Sequence, residues 1–285
     1  MDKIRAYIDL TRLNRPVGVY LVLWPTLWAL WLASEGIPSL HLLIVFILGA
    51  ILMRSAGCVI NDYADRNFDG HVERTKQRPL ASGVLSAKEA LSFFAILCLI
   101  AFTLVLTLNT LTIILSFGAL FLAALYPFMK RHTHWPQAFL GAAFAWAVPM
   151  SFAAVVNDVP WQVWPLFAAT LVWSLIYDTA YAVGDMPDDL KVGVKSTAIL
   201  FGENLVLWTG FFQLTMLALL AWIGVLFELG LSYSLSLLIV AIWFGFDLKR
   251  LSSKNPQIAF KVFIQNHWIG IIILLGIAID YALKG

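Results

Sequence analysis

Charged residues are scarce in this sequence: Asp, Glu, Lys and Arg make up 13% of its 285 positions, whereas hydrophobic residues make up 61%. A soluble domain usually carries about 25% charged residues, and a water-soluble fold could not hide so much apolar surface. Because a helix needs roughly 20 residues to cross a bilayer, nine spans would leave only short loops. The composition therefore excludes a soluble protein and predicts a polytopic membrane protein without an extramembrane domain.

Cysteine and several familiar motifs are also scarce or absent. The two cysteines, Cys58 and Cys98, both lie in apolar stretches, so a disulfide framework is not supported. The sequence has no Walker loop, no G-x-S-x-G, no zinc-ligand spacing and no low-complexity segment. Its N-terminal segment stays polar and basic for too long to resemble a cleavable signal peptide, and none is expected.

Long apolar runs recur along the chain, separated by short polar breaks that suit helical hairpins. The alternating segments of about ten residues that build a membrane β-barrel are absent. The sequence therefore predicts an all-α bundle that forms a single membrane domain over residues 1–285. The nine spans are expected near 17–33, 40–60, 88–108, 111–129, 137–156, 161–184, 205–227, 231–247 and 265–283.

The basic residues predict how this bundle is oriented. Nine spans place all 19 Lys and Arg residues on one side of the membrane, except Lys284 and the intramembrane Arg54. The positive-inside rule then predicts a cytoplasmic N-terminus and an external C-terminus. Two longer loops, about 61–87 and 185–204, lie on the cytoplasmic side, and each begins with a cluster of acidic residues.

The first cluster contains Asn61, Asp65 and Asp69, which recur every four residues. On a helix that continues from the preceding span, each step of four advances only about 40°, so the three side chains share one face. Asp62 lies near the edge of that face. Stacked oxygen ligands of this kind can hold a hard cation such as Mg²⁺. The alternative interpretation is a solvated helix end with surface acids.

The second cluster contains Asp178, Tyr181, Asp185, Asp188 and Asp189. Because Pro187 cannot donate a helical hydrogen bond, the helix is expected to end near Met186 and to leave the last two acids on the following turn. Asp178 lies within an apolar run, where an acid is costly unless it lines a cavity or meets a cation. The alternative for Asp178 is a buried acid with a local hydrogen bond.

Basic residues accompany these acids. Acids that bind Mg²⁺ and bases that bind phosphate oxygens directly would together suit an anionic ligand, although any one base also fits the positive-inside signal. The bases of the two loops are Arg66, Arg74, Lys76, Arg78, Lys191 and Lys195. Lys130 follows Tyr126 at the end of the fourth span, and Arg15 lies at the entrance of the first.

Arg54 lies inside a predicted span, seven positions before Asn61 and on roughly the same helical face. A charged side chain at this depth needs a partner. The sequence leaves two partners open, a protein carboxylate such as Asp178 or an anionic group on a substrate.

The two clusters resemble the paired aspartate-rich motifs of the UbiA superfamily of intramembrane prenyltransferases. The first matches N-x-x-x-D-x-x-x-D at Asn61, Asp65 and Asp69. The second matches D-x-x-Y-x-x-x-D and D-x-x-x-D at Asp178, Tyr181, Asp185 and Asp189. The sequence that flanks the two motifs resembles the bacterial branch that acts on 4-hydroxybenzoate, except that Met186 and Pro187 stand where a more polar pair is expected.

The resemblance implies an activity and a site. The activity would be Mg²⁺-dependent transfer of a polyprenyl group from polyprenyl diphosphate to the 3-position of 4-hydroxybenzoate, in ubiquinone biosynthesis at the bacterial inner membrane. The implied metal ligands are Asn61, Asp65, Asp69, Asp178, Asp185 and Asp189. Catalytic roles fall to Asp65, Asp69, Asp178, Asp185 and Arg54, with Arg54 clasping the carboxylate of the acceptor. Further substrate contacts are expected from Arg15, Arg66, Arg78, Tyr126, Lys130, Tyr181 and Lys191.

The expected partners are the two substrates and the lipid bilayer, with no nucleic acid, and the oligomeric state is not predicted. One alternative is the same chemistry on another aromatic acceptor, such as a naphthoate, homogentisate or haem. A second alternative, of another class, is a cation-coupled transporter. Transporter sites tend to lie near the bilayer midplane, whereas these acids collect at one face of the membrane.

Overall fold

A computed structural model describes residues 3–67, 69–71 and 75–284 of the chain. Arg74 and the side chain of Asp188, both singled out in the sequence, lie outside the described residues. The described part is helical, with short 3₁₀ turns at Asp69–His71 and Gly202–Asn204. The α-helices are α1 (Lys3–Thr11), α2 (Val17–Ala33), α3 (Leu40–Asp65), α4 (Ala87–Val105), α5 (Thr110–Met129), α6 (Pro136–Ala145), α7 (Ala147–Val156), α8 (Val163–Val192), α9 (Thr197–Phe201), α10 (Leu205–Leu226), α11 (Leu231–Leu251), α12 (Pro256–Gln265) and α13 (His267–Lys284).

The helices confirm the predicted membrane bundle. Eight helical stretches are long and apolar enough to cross a bilayer, and α2 is a shorter apolar helix. Three of the eight are broken: α6 and α7 together form one stretch, α9 and α10 form a second, and α12 and α13 form a third. All nine predicted spans therefore correspond to apolar helices, while the direction in which the termini face stays a prediction.

Side-chain caps define where several helices begin. Ser39 accepts a hydrogen bond from the backbone N–H of Leu42 at the start of α3. Ser86 and Glu89 form a reciprocal capping box at the start of α4. These caps satisfy N–H groups that have no partner within a helix, and they place the helix starts at the ends of the apolar runs.

Polar side chains provide hydrogen-bond partners at the helix break between α12 and α13. Asn266 is fully buried there, and its amide donates to the carbonyl of Val262 at 3.0 Å while accepting from Trp173 Nε1 at 3.2 Å. Water is absent from a bilayer core, so a break in a span is tolerated only when nearby groups pair with the freed backbone. The arrangement also anchors α8, which carries the second acidic cluster, to the α12–α13 pair.

Two sequence expectations about helix ends were wrong. The helix α8 does not end near Met186 but continues through Pro187 to Val192, and Gly193 terminates it with a left-handed φ of 73°. A proline removes a single helical hydrogen bond, and α8 packs against α6, α10 and α12, so the loss of one bond does not end the helix. As a result, Asp178 and Asp189 share one face of a continuous helix.

The first cluster, in contrast, does not lie on one helix. The helix α3 ends at Asp65, and Asp69 begins a separate 3₁₀ turn. The Arg66 guanidinium folds back and donates to the carbonyl of Tyr63 at 2.7 Å, which satisfies a carbonyl of the last helical turn. Thr75 Oγ1 donates to the carbonyl of Asp69 at 2.9 Å and fixes the turn.

Candidate active site

Two acids of the first cluster, one in the last turn of α3 and one in the 3₁₀ turn that follows it, are neutralised by arginines from two other segments. Asp62 is 1% exposed, and Arg12 Nη2 donates to its two oxygens at 3.0 and 2.9 Å. Arg78 Nη1 lies 3.0 Å from Asp62 Oδ1 and 2.9 Å from Asp69 Oδ2. Arg78 therefore joins the end of α3 to the 3₁₀ turn. This bridge keeps Asp69 close to the other acids, although the three side chains do not share one continuous helix as expected.

Asp65 keeps one oxygen without a hydrogen bond. Its Oδ2 forms an ion pair with Lys130 and accepts from Asn61 Nδ2 at 3.4 Å. Its Oδ1 is buried and accepts no hydrogen bond from the described residues, and Arg131 Nη2 lies 3.8 Å from it. A buried carboxylate oxygen with unused capacity, next to an amide oxygen, suits a hard cation.

The proximity of the acids is visible in the pKa of Asp69. Burial raises the pKa of the Asp69 carboxyl above its ordinary value, and the neighbouring Asp65 and Asp62 add to the rise against the opposing charge of Arg78. Burial alone would lower the pKa of Arg78, but Asp62 and Asp69 outweigh it, so that pKa lies above its ordinary value. The cluster thus concentrates negative charge in a desolvated place.

The second cluster lies on the continuous helix α8. Asp178, Asp185 and Asp189 are half-buried and fall within about 40° of one another around the helix. Both of the later acids act electrostatically on Asp178. The side chain of Gln137 on α6 also lies beside Asp178 and interacts with its carboxyl group.

Gln137 itself is 4% exposed, and its Oε1 accepts from the backbone N–H of Thr197 at 3.1 Å. One amide therefore connects Asp178 to the start of α9. Thr179 and Thr197 share a further buried hydrogen bond of 2.7 Å. The segment that follows α8 is thus tied both to that helix and to α6.

The two clusters approach each other around Tyr126. The charges of Arg54, Asp178 and Asp65 all act on the phenol of Tyr126. On the opposite side of the site, Tyr181 acts on Arg78 in the same way. Side chains from α3, α5 and α8 that are far apart in sequence therefore face one region at one end of the bundle.

Next to the acids lies an apolar chamber of about 330 Å³ enclosed by α2 to α7. Among its described lining residues, Arg54 alone carries a charge. Arg54 Nη1 donates to Cys58 Sγ, and the guanidinium carbon lies 5.9 Å from the centre of the Phe144 ring. The structure gives Arg54 no ion pair with Asp178 among the described residues, and Arg54 Nε is buried without a hydrogen-bond acceptor there.

Three predicted substrate contacts lie away from these pairs. Arg15 is exposed in the turn before α2, and Lys191 is exposed in the last turn of α8. Arg66 covers the ring of Tyr63, with its guanidinium carbon 4.2 Å from the ring centre. Arg78 and Lys130 pair with carboxylates of the first cluster, and their contacts with phosphate stay a prediction.

Sequence reasoning missed the structural roles of Arg12, Asp62 and Gln137. The spacing of the acids placed Asp62 only at the edge of the helical face that carries the other ligands. Arg12 was considered only as one of the basic residues that predict the orientation of the bundle in the membrane. Gln137 had a detectable signal, because a glutamine at the start of an apolar span is costly to bury unless both of its polar atoms are paired.

No three His, Cys, Asp or Glu side chains converge into a preformed metal cage among the residues that the structure describes. Mg²⁺ does not need such a cage, since it usually takes one or two carboxylates and fills its shell with water and substrate phosphate. The free oxygen of Asp65 and the oxygen-rich donor set fit this type of site. The candidate ligands are therefore compatible with a divalent cation that binds together with a phosphate ligand.

The fold and the site define a polytopic membrane protein whose two acid-bearing helices adjoin an apolar chamber. The model of the UbiA prenyltransferase family matches residues 22–270 of the chain. This protein belongs to that family, and it is a membrane-embedded prenyltransferase.

Curated relatives are similar over almost their full length. A protein from Hydrogenovibrio crunogenus named 4-hydroxybenzoate octaprenyltransferase is 62% identical over 279 residues, which cover 98% of this chain and 98% of the relative. A protein of the same name from Nitrosococcus oceani is 57% identical over 280 residues, again 98% of each chain.

Solved structures share the fold. The apo structure of a UbiA homolog from Aeropyrum pernix K1 superposes with a TM-score of 0.80 at 25% identity, covering 92% of this chain and 97% of that one. A UbiA homolog from Archaeoglobus fulgidus, bound to GPP and Mg²⁺, superposes with a TM-score of 0.75 at 18% identity, covering 98% and 99%. The second likeness shows the fold alone.

Proposed function

We propose that this protein transfers a polyprenyl group from polyprenyl diphosphate to carbon 3 of 4-hydroxybenzoate, releasing diphosphate, as an early step of ubiquinone biosynthesis. The C1–O bond of the prenyl diphosphate breaks, a bond from C1 to the ring carbon forms, and the ring proton is lost. The whole chain, 1–285, would act as one domain in the bacterial inner membrane, with the site facing the cytoplasm.

The observation that carries this proposal is the place of Arg54. It is the charged residue of an otherwise apolar chamber, it has no ion pair with Asp178 among the described residues, and it lies close to Tyr126 beside the acids. A guanidinium at the junction of an apolar chamber and a polar site suits an aromatic ring that carries a carboxylate. The name of the relatives, 4-hydroxybenzoate octaprenyltransferase, agrees with such an acceptor.

The acids would bind the diphosphate end of the donor through Mg²⁺. The candidate ligands are Asn61, Asp65, Asp69, Asp178, Asp185 and Asp189. Mg²⁺, when bound, neutralises the charge that develops on the departing diphosphate. The Archaeoglobus fulgidus homolog bound to GPP and Mg²⁺ supports this choice of metal.

The remaining residues would orient the substrates and exclude water. The chamber walls come from apolar side chains, so an allylic cation formed at its polar end would be protected from hydration. The ring of Phe144, beside Arg54, is placed to stabilise positive charge at that end. Arg54 would hold the acceptor by its carboxylate with the ring facing the donor, which lowers the entropic cost of the reaction.

A product assay on membranes that contain the protein tests the proposal. Membranes receive 4-hydroxybenzoate and geranyl diphosphate with Mg²⁺ or with EDTA, and the products are identified by mass spectrometry. We expect a prenylated hydroxybenzoate that requires Mg²⁺. A product from a naphthoate or homogentisate but not from 4-hydroxybenzoate would replace the proposed acceptor with another.

Arg54→Ala sharpens the test of the acceptor. The variant should raise the KM for 4-hydroxybenzoate far more than the KM for geranyl diphosphate, because the guanidinium is assigned to the carboxylate. Equal weakening of both substrates would contradict that assignment. Membership of a prenyltransferase family favours this chemistry over the transporter alternative.

A further inference from the structure

The short helix α1 lies across the end of the bundle that carries the site. At its start, Lys3 Nζ pairs with Glu89 Oε1 at 2.8 Å, in the first turn of α4. Just after its end, Arg12 Nη2 donates to both oxygens of Asp62, in the last turn of α3. Because consecutive spans run in opposite directions, the end of α3 and the start of α4 lie at the same end of the bundle. The helix α1 therefore runs from one span to the next, at the level where a bilayer meets water.

One face of α1 packs on the protein. Ala6 and Leu10 are fully buried in an apolar cluster that α3 and α4 complete. The ring of Tyr7 meets the ring of Phe93 edge-on, with 4.7 Å between the two centroids. Phe93 lies in the second turn of α4, so α1 is held against the outside of the bundle close to the ends of its spans.

The opposite face of α1 is apolar too, but it is exposed. Ile4 and Ile8 lie about 40° apart around the helix, and each is about 200° from the buried residue two positions further on. Their exposed fractions are 69% and 40%, and the exposed side chain of Arg5 lies next to them. Between positions 3 and 15 the chain has four basic residues and one acidic residue. An apolar strip bordered by basic side chains is typical of a helix that lies in a membrane interface.

The occupant that this exposed face fits is the surface of an anionic phospholipid bilayer. The isoleucines would reach the acyl chains, while the guanidinium of Arg5 would meet the phosphate of a headgroup. The orientation predicted from the basic residues puts this end of the bundle at the cytoplasmic leaflet, whose negative surface potential attracts basic segments. A partner protein is the alternative occupant, and a change of lipid composition separates the two.

The same helix also holds an acid of the first cluster. Arg12 directly follows α1, and its Nη1 donates to the carbonyl of Asp9 within that helix. Its Nη2 binds Asp62, which shares Arg78 with Asp69. The Arg12 guanidinium therefore connects the body of α1 to the first cluster, and a shift of α1 away from the bundle would draw Arg12 from Asp62.

We infer that α1 is an interfacial helix that docks on anionic phospholipid through Ile4, Ile8 and Arg5, and that this docking keeps Arg12 on Asp62. The docking itself does not depend on the proposed function, whereas its effect on turnover rests on that function. Arg12 is a positioning residue in this role, because it acts on the site through Asp62 and does not touch a substrate.

Amide hydrogen exchange of residues 3–11, measured by mass spectrometry in nanodiscs without substrate, tests the docking. Nanodiscs of phosphatidylcholine are compared with nanodiscs that contain equal parts of phosphatidylglycerol. We expect α1 to exchange roughly fivefold more slowly with the anionic lipid, which corresponds to one basic side chain near a charged surface. Arg5→Glu should abolish this difference. The double variant Ile4→Ser/Ile8→Ser should exchange about tenfold faster in both lipids, because two apolar contacts are lost.

Matched controls show whether the effect belongs to this face. Lys249→Glu reverses an exposed charge in the last turn of α11, at the same end of the bundle. Ile37→Ser removes an apolar side chain that is 84% exposed just before α3, at the opposite end. Both variants should leave the exchange of α1 unchanged. Since all the replaced residues are exposed, thermal unfolding of every variant in detergent should match the wild type.

Turnover in the same nanodiscs tests the effect on the site. We expect the kcat of the wild type to be about two- to fivefold higher with phosphatidylglycerol, because a larger fraction of molecules has α1 docked. Arg12→Gln should have a lower kcat that no longer depends on lipid composition, since the connection to Asp62 is lost. A purely structural role of Arg12 would lower kcat and leave the lipid dependence intact.

The two readouts separate failure of this inference from failure of the proposed function. If α1 exchanges at the same rate in both lipids and the double isoleucine variant matches the wild type, the docking is overturned, whatever the enzyme does. If exchange responds to lipid but kcat does not, the effect on Asp62 is overturned. If α1 is protected by anionic lipid but no acceptor is prenylated, the docking stands and the proposed function is overturned.

Discussion

The two acidic clusters face the same site, but the protein holds them in different ways. The acids of the first cluster are split between the end of α3 and a 3₁₀ turn, are at most 6% exposed, and pair with Arg12, Arg78 and Lys130. The acids of α8 lie half-buried on one continuous helix, where the neutral amide of Gln137 interacts with Asp178. The ion pairs of the first cluster therefore contribute to the stability of the fold. The second cluster is instead positioned by α8, which the packing of other helices stabilises.

This difference predicts that the same kind of substitution has different consequences in the two clusters. Removing one partner of a buried ion pair leaves the other charge desolvated and destabilises the fold. Neutralising a half-buried acid on a well-packed helix should instead affect mainly the ligand. Four substitutions, described in order of decreasing expected effect, test whether the two clusters differ in this way.

Asp62→Ala should have the largest effect on stability. The change would leave Arg12 and Arg78 with a buried charge and no Asp62 carboxylate, at a cost of about 3–5 kcal/mol. Thermal unfolding in detergent measures this loss. The control is Asp158→Ala in the exposed turn after α7, where only a small change is expected. Equal melting temperatures of the two variants would contradict a structural role for the first cluster.

Asp185→Asn should remove activity while the fold is retained. Loss of one group that stabilises charge in a transition state typically costs about 100- to 1,000-fold in rate. Product formation by mass spectrometry and thermal unfolding are measured on the same preparation. Asp65→Asn should reduce both quantities, because Asp65 also pairs with Lys130. The comparison fails if Asp185→Asn unfolds as readily as Asp62→Ala.

Gln137→Leu should have an intermediate effect. The change removes the amide that interacts with Asp178 and leaves the buried N–H of Thr197 without its acceptor, a penalty of about 1–3 kcal/mol. We expect roughly a tenfold fall in kcat, since the same amide connects Asp178 to the start of α9. Gln257→Leu changes an exposed glutamine and serves as the control. Normal kcat in Gln137→Leu would show that Asp178 does not depend on this amide.

Lys3→Ala should have the smallest effect. Lys3 pairs with Glu89 at 2.8 Å, but the two side chains are 70% and 33% exposed. Exposed ion pairs contribute little because water and salt screen them, so no measurable change in melting temperature is expected. A clear drop would mean that ion pairs matter in this protein regardless of burial, which would remove the basis for separating the two clusters.

Much of the fold could be predicted from the sequence because the bilayer restricts the choices. Apolar runs of sufficient length must become helices, and all nine are found. The helix ends were harder to predict. Pro187 is a breaker by local rules, yet α8 continues through it to Val192. At Asp65 the reverse happens, because the backbone leaves the helix where Arg66 satisfies a carbonyl of the last turn.

The candidate site likewise has features that the sequence indicated and features that only the structure shows. Asp65, Asp178 and Arg54 all act electrostatically on Tyr126, so residues that the motifs single out lie in one region, while their roles stay a prediction. The pairing of Arg78 with two carboxylates was not predictable. A basic residue in a loop fits the positive-inside signal equally well wherever it points, so the sequence contains no information about its partner.

The sequence by itself determined that this is an all-helical membrane protein, and which acids and which arginine are candidates for chemistry. Composition and spacing decide these points, since they depend only on hydrophobic length and local helical geometry. The tertiary structure was needed to show that Arg12 and Arg78 neutralise Asp62, that Gln137 lies beside Asp178, and that Gly18 makes room for Arg54. These contacts join residues from different helices and loops, and local helical geometry does not determine how such segments pack.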